Sequence, residues 1–224
     1  MTDIYLVRHG QASFGAANYD KLSDLGIQQA EWLGDYFRQR DITFDNVFMG
    51  DMVRHRETKD GIAKGMGALP EAAINSELNE FNFQAVATAF LNRYPDQKVP
   101  EGASRPEYYR LLRKAMLAWA ADELDHNLLD ESWAAFEARV AAMLSMLQNT
   151  DAKRVLVVSS GGAIAMMLKH ILGYDSATVI NMNLQIRNAS FSQCFANARS
   201  VHLNNFNSVP HLDVVDRLHA VTYS

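Results

Sequence analysis

Three residues in succession, Arg8-His9-Gly10, combine a planar cation, a nitrogen nucleophile and a backbone that a ligand can approach closely. A second arginine, Arg54, precedes His55 and Arg56, and two carboxylates, Glu77 and Glu80, follow further on, with nothing local to choose between them. A third stretch, Ser159-Ser160-Gly161-Gly162, adds hydroxyls and a glycine pair. These types suit phosphoryl chemistry. Guanidiniums match phosphoryl oxygens, a neutral imidazole can attack phosphorus in line, and a carboxylic acid can protonate a departing alkoxide before acting as base for water. Each residue also has a plain structural alternative: His9 as a polar strand end, Arg54 as a solvated helix residue, Glu80 as a surface carboxylate. Gln11 and Ser13 either touch phosphate or shape the turn after His9.

These groups need elements that carry them to one place. Ile4 to Val7 is an apolar run without polar alternation, as in a strand buried on both faces, so Arg8-His9-Gly10 falls at its carboxyl end, where open α/β sheets bind ligands. Ser23 caps a helix with Leu25, Ala30, Leu33 and Phe37 on one face, reaching toward Arg40. A second strand spans 45–50, a helix from Asp51 carries Arg54, and a weak third strand lies at 73–75. From about 84 to 148 the pattern is helical without strands. There, Ser104 and Glu107 have capping-box spacing around Pro106, and Ser132 precedes an apolar stripe of Phe136, Val140, Leu144 and Leu147. Arg154 to Val158 is the strongest strand signal; a helix over 163–172 follows, ending at Gly173. The Gly161-Gly162 pair at that helix start suits an anion. Strands at 185–190 and 201–206 close the sheet, and a tail begins at Pro210. The expected fold is a three-layer α/β/α sandwich with a mostly parallel sheet, one domain over 1–224, with the helical block as a lid or side layer.

Composition narrows the function classes. With 21% charged and 48% hydrophobic residues and a net charge of −5, the chain reads as a soluble globular protein, and no basic stripe suits nucleic acid. Cys194 is the sole cysteine, which excludes an intramolecular disulfide and a thiolate metal cluster. No segment suits a leader or a bilayer span, so a cytoplasmic setting is expected. Oligomeric state is open, with a homodimer as one option.

Taken in order, Leu6-Val-Arg-His-Gly10, the helix entry from Leu22 to Ala30, Arg54 to Thr58, Leu78-Asn-Glu80 and Val155 to Gly162 resemble the histidine phosphatase superfamily, the phosphoglycerate mutase-like proteins. In the helical block, only Glu131 to Val140 looks similar. The resemblance implies that His9 accepts the phosphoryl group, Arg8 and Arg54 clamp its oxygens, and Glu80 is the proton donor, with no cofactor or metal. Gly10, Ser160 and Gly161 would complete the phosphate site. The family motif has a second histidine where this chain has Ser160, which keeps a hydrogen-bond donor but no charge. His55 or His202 could take its place in space.

Several functions follow from that pattern. A phosphatase acting on a phosphorylated metabolite or phosphoprotein comes first, slowed or specialised by Ser160. A non-catalytic binder of phosphorylated ligands needs only the clamp. A mutase would share the phosphohistidine, but the helical block lacks the basic residues of the mutase branch. A serine hydrolase using Ser160, Asp213 and His219 is disfavoured because Val158 stands where a nucleophile elbow needs glycine. Tyr94, Arg105, Tyr108 and Tyr109 are candidates for the substrate rim.

Overall fold

In a computed structural model, which describes residues 1–13, 20–100 and 102–223, the strands β1 (Thr2–Arg8), β2 (Asn46–Met49), β3 (Ala72–Ile74), β4 (Arg154–Ser159), β5 (Phe191–Asn197) and β6 (Ser200–Ser208) form one sheet. Its order is β3-β2-β4-β1-β5-β6. The first four strands in sequence run parallel, while β5 and β6 run antiparallel to their neighbours.

Period-2 alternation builds the layers. Tyr5, Val7, Leu156 and Val158 face one core with Leu33 and Phe37 of α1 (Asp24–Gln39) and Ile62 of α2 (Val53–Met66). Ile4, Leu6, Val155 and Val157 face the other with Phe136, Ile164 and Leu168. That second layer holds α3 (Phe83–Arg93), α4 (Arg105–Ala120), α5 (Trp133–Gln148), α6 (Gly161–Leu172) and α7 (Ser176–Asn183). Phe90, Trp119 and Phe136 share its core with α6, so the helical block is continuous with the side layer. The result is a three-layer sandwich around a mostly parallel sheet.

The site follows from the crossover. β1 and β4 are adjacent and parallel, yet α1 leaves β1 toward one face and α6 leaves β4 toward the other. Their carboxyl ends form the topological switch point, where such sheets ordinarily bind ligands.

Local signals account for the helix starts. Ser23 Oγ accepts from the Gly26 N–H at 3.0 Å and Ser132 Oγ from that of Ala135 at 3.1 Å. The Glu107 carboxylate accepts from both the Ser104 N–H and its hydroxyl. One expectation needs correction. The closing strand is 191–197 rather than 185–190: Ala189 turns left-handed at φ 52°, which breaks the extended run, and its N–H goes to the His9 carbonyl. The preceding segment holds α7, a helix the sequence analysis did not anticipate, started by Asp175 accepting from the Thr178 N–H. The tail beyond Pro210 forms a 3-10 turn, Val215–Ala220, against Trp32 and Leu25 of α1.

Candidate active site

Register brings the first and third stretches together. Arg8 pairs with Ser159 across β1 and β4, and the His9 N–H donates to the Ser159 carbonyl at 2.9 Å, so His9 and Ser160 emerge side by side. His9 is buried, at 6% exposure. Its Nδ1 lies 2.7 Å from the Gly10 carbonyl, which can only accept, so Nδ1 carries the proton and Nε2 the lone pair. Burial first, then Arg54, Arg8 and His55, hold its pKa well below the ordinary 6.5. His9 is therefore a neutral imidazole with its nucleophilic nitrogen fixed.

Arg54 is 7% exposed on the first turn of α2. Asp20 holds it there: Oδ1 accepts from Arg54 Nη1 at 2.9 Å, and Oδ2 accepts from the Val53 N–H at 2.8 Å. One carboxylate thus caps α2 and orients its arginine. Arg8 Nη1 donates to the backbone carbonyls of Ile186 and Tyr223, so α7's exit and the carboxy-terminal tail both meet at this guanidinium.

Glu80 approaches from the opposite layer. Its Oε2 accepts from the Gly162 N–H at 2.9 Å, and a Cβ on Gly162 would lie 2.2 Å from its Oε1. Glycine is needed there for close approach. Burial outweighs that hydrogen bond and the attraction of Arg54, Arg8 and Arg139, so the Glu80 pKa is raised. A carboxyl that keeps its proton beyond the ordinary range is suited to act as an acid. Arg139 of α5 supports its loop: Nη1 donates to the carbonyls of Glu77 and Asn79 at 2.9 and 2.8 Å, while Nε and Nη2 grip the Glu131 carboxylate. Ser159 Oγ adds a bond to the Leu78 carbonyl at 2.6 Å.

The remaining candidates occupy distinct places. Gly10 packs against Gly26, where a Cβ would come within 2.3 Å of a carbonyl, and its N–H donates to Thr58 Oγ1 at 3.0 Å. Gln11 is tied into the α1 cap, its Oε1 accepting from Ser23 Oγ, and Ser13 Oγ donates to the Leu22 carbonyl. Gly161 leaves room for Asn183 Oδ1, which a Cβ would approach to 2.6 Å. Ser160 is fully buried with its hydroxyl against His55 Nε2 at 2.8 Å. His202 is exposed on β6, opposite Phe195, which pairs with Asp3; that is the far end of the sheet from His9. Asp213 and His219 are exposed and do not join Ser160. Tyr94 is engaged with Glu123, Tyr108 is exposed, Tyr109 faces the tail, and the Arg105 side chain lies outside the described residues.

A convergence of this kind has a name once the whole chain is compared. The profile of the histidine phosphatase superfamily (branch 1) matches residues 4–208. The chain belongs to that superfamily. Among curated relatives, a probable phosphoglycerate mutase GpmB of Erwinia tasmaniensis is 25% identical over 214 residues, covering 86% of this chain and 84% of the relative. A putative alpha-ribazole-5'-P phosphatase from Escherichia coli superposes with TM-score 0.67 at 20% identity, covering 93% and 98% of the two chains. A phosphoserine phosphatase from Entamoeba histolytica gives 0.66 at 20% identity, covering 95% and 100%. These neighbours share the histidine phosphatase fold; their names include both phosphatases and mutases.

Sequence reasoning did not single out Asp20, Asn183 or Arg139 for the site. Arg139 alone carried a signal, in the Glu131 to Val140 match. Among the described residues, no helix is long and apolar enough to cross a membrane, and no three His, Cys, Asp or Glu side chains converge on a metal-sized site.

Proposed function

We propose that this protein is a phosphomonoesterase working through a phosphohistidine on His9. The observation that carries the proposal is the His9 tautomer: with Nδ1 bonded to the Gly10 carbonyl, the Nε2 lone pair stands in the field of Arg8 and Arg54. Nε2 attacks phosphorus, the ester P–O bond breaks, and protonated Glu80 gives its proton to the departing alkoxide. Glu80, now a carboxylate, takes a proton from water, whose oxygen attacks phosphorus and releases phosphate from His9. Arg8 and Arg54 stabilise the equatorial oxygens in both halves. The substrate's organic part has a candidate seat in a cavity of about 360 Å³ lined by Tyr109, Leu184, Val221, Thr222 and Tyr223. It adjoins Arg8 through the Tyr223 carbonyl.

A panel of phosphomonoesters assayed with a chelator present tests this reading, with acid-labile phosphoprotein sought in the same samples. Wild-type protein is expected to release phosphate and form the labile adduct, and His9→Ala to do neither. Equal inactivity of the two proteins would remove the enzymatic reading and leave a phosphate-binding site. The curated relative named as a probable phosphoglycerate mutase supports a second reading, transfer between two positions of one substrate. Conversion of phosphoglycerate isomers without net phosphate release would favour it over hydrolysis.

A further inference from the structure

His55 is a buried titratable side chain that the reaction above leaves idle. It is fully buried on α2, next to Arg54, and its ring centroid lies 5.9 Å from that of His9. Nε2 sits 2.8 Å from Ser160 Oγ, whereas Nδ1 is buried without a partner, facing Gly50 so closely that a Cβ there would come within 2.3 Å. Ser160 occupies the position before α6, where a serine hydroxyl ordinarily bonds a first-turn amide, yet its side chain makes no such bond. It turns to His55 instead.

The proton inventory sets the direction of that bond. A neutral imidazole has one N–H and one lone pair, and a buried N–H without an acceptor is the rarer of the two orphans. Nδ1 therefore holds the lone pair, and Nε2–H donates to Ser160 Oγ. With one of its lone pairs so engaged, the hydroxyl has its own proton to donate elsewhere. The neighbouring strand end is where His9 emerges.

We infer that His55 fixes Ser160 as a hydrogen-bond donor to the phosphoryl group attached to or approaching His9. This inference rests on the phosphohistidine reading and deepens it. Ser160 is then a catalytic residue touching phosphoryl oxygen, and His55 is a positioning residue acting through it. Burial and the Arg54 charge push the His55 pKa down to about 3, so the ring stays neutral near pH 7 and the donor direction persists. An imidazole contributed by α2, one step removed from phosphate, serves the strand end where the family motif carries a histidine.

Calorimetric binding of orthovanadate, a phosphoryl mimic, by wild type, Ser160→Ala, His55→Leu, His55→Gln and the Ser160→Ala/His55→Leu double variant tests the pair, with phosphate release measured on the same preparations. Ser160→Ala is expected to weaken vanadate binding about 10- to 100-fold, the range for a hydrogen bond to a charged group. His55→Leu should lose nearly as much, and the double variant no more than Ser160→Ala alone, because the two act in series. Glutamine keeps an N–H donor, so His55→Gln should recover most of the loss, which a purely packing role would not give. Vanadate affinity unchanged in Ser160→Ala, or additive losses in the double variant, would overturn the pair whatever the turnover. If these binding differences appear but wild type turns over no ester, the pair stands and hydrolysis falls.

Discussion

Glu80 and His9 are shifted toward the protonation states that the proposed roles need, one a carboxyl whose pKa burial raises, the other an imidazole kept neutral by burial and two arginines. In kcat/KM, corrected for the substrate's own ionisation near about pH 6, no inflection is expected at the usual histidine position. Activity should decline instead on the alkaline side as Glu80 ionises. Because the folded pKa of Glu80 lies above its unfolded value, the native state binds the extra proton between the two, and stability falls as pH rises through that window. Glu80→Gln removes this loss while still accepting from Gly162. It should lower kcat about 10²- to 10⁴-fold, raise Tm relative to wild type at pH 8, and give no gain below about pH 4, where both Glu80 states are protonated. A thermal melt across pH beside single-turnover kinetics reads both. Arg8 and His9 were legible from their types at a strand end, and Arg54 and Glu80 from the order of motifs that resembles the superfamily, but the tautomer of His9 and the raised pKa of Glu80 come from neighbours.

At the level of elements, α5 supports the loop that carries Glu80. Arg139 spends its guanidinium on the Glu131 carboxylate and on two carbonyls of the loop that ends at Glu80. Arg139→Met keeps an apolar side chain beside the Phe136 ring, over which the guanidinium carbon lies at 4.7 Å, and removes those bonds. It should cost about 1 to 3 kcal/mol in denaturant unfolding, moderated because the ion pair is partly exposed. kcat should fall more than 1/KM, since the proton donor rather than the phosphate clamp is misplaced; an equal fall in both would instead place Arg139 in substrate binding. Helical spacing of apolar residues made most helices legible, because burying one face imposes a period, while unbroken apolar runs marked the central strands, which are buried on both faces. These patterns failed at 185–190, where a left-handed Ala189 turns the backbone and leaves no periodic trace.

Across the whole molecule, the first strand and the carboxy-terminal tail close the site together. Arg8 Nη1 donates to Tyr223 across a separation of 215 residues, Gln29 Nε2 donates to Ala220 and Thr222, and Asn188 links the tail to the His9 carbonyl. Deleting residues 221–224 frees Arg8 from one carbonyl and opens the cavity beside it. KM for phosphomonoesters is expected to rise roughly tenfold, about one hydrogen bond's worth, with vanadate affinity reduced in parallel; unchanged KM would show that the tail only covers the core. Residue types and their periodicity by themselves determined the sandwich and the strand ends that carry Arg8-His9-Gly10 and Ser159 to Gly162, and the order of those motifs pointed to the superfamily. Such features depend on local backbone preference and on which face is apolar, and both are written in short windows. Only the tertiary structure decided that Asp20 steers Arg54 across 34 positions, that His55 meets Ser160 across 105, and that the tail reaches Arg8. Those contacts join groups with no local preference for one another, and packing alone brings them within hydrogen-bond reach.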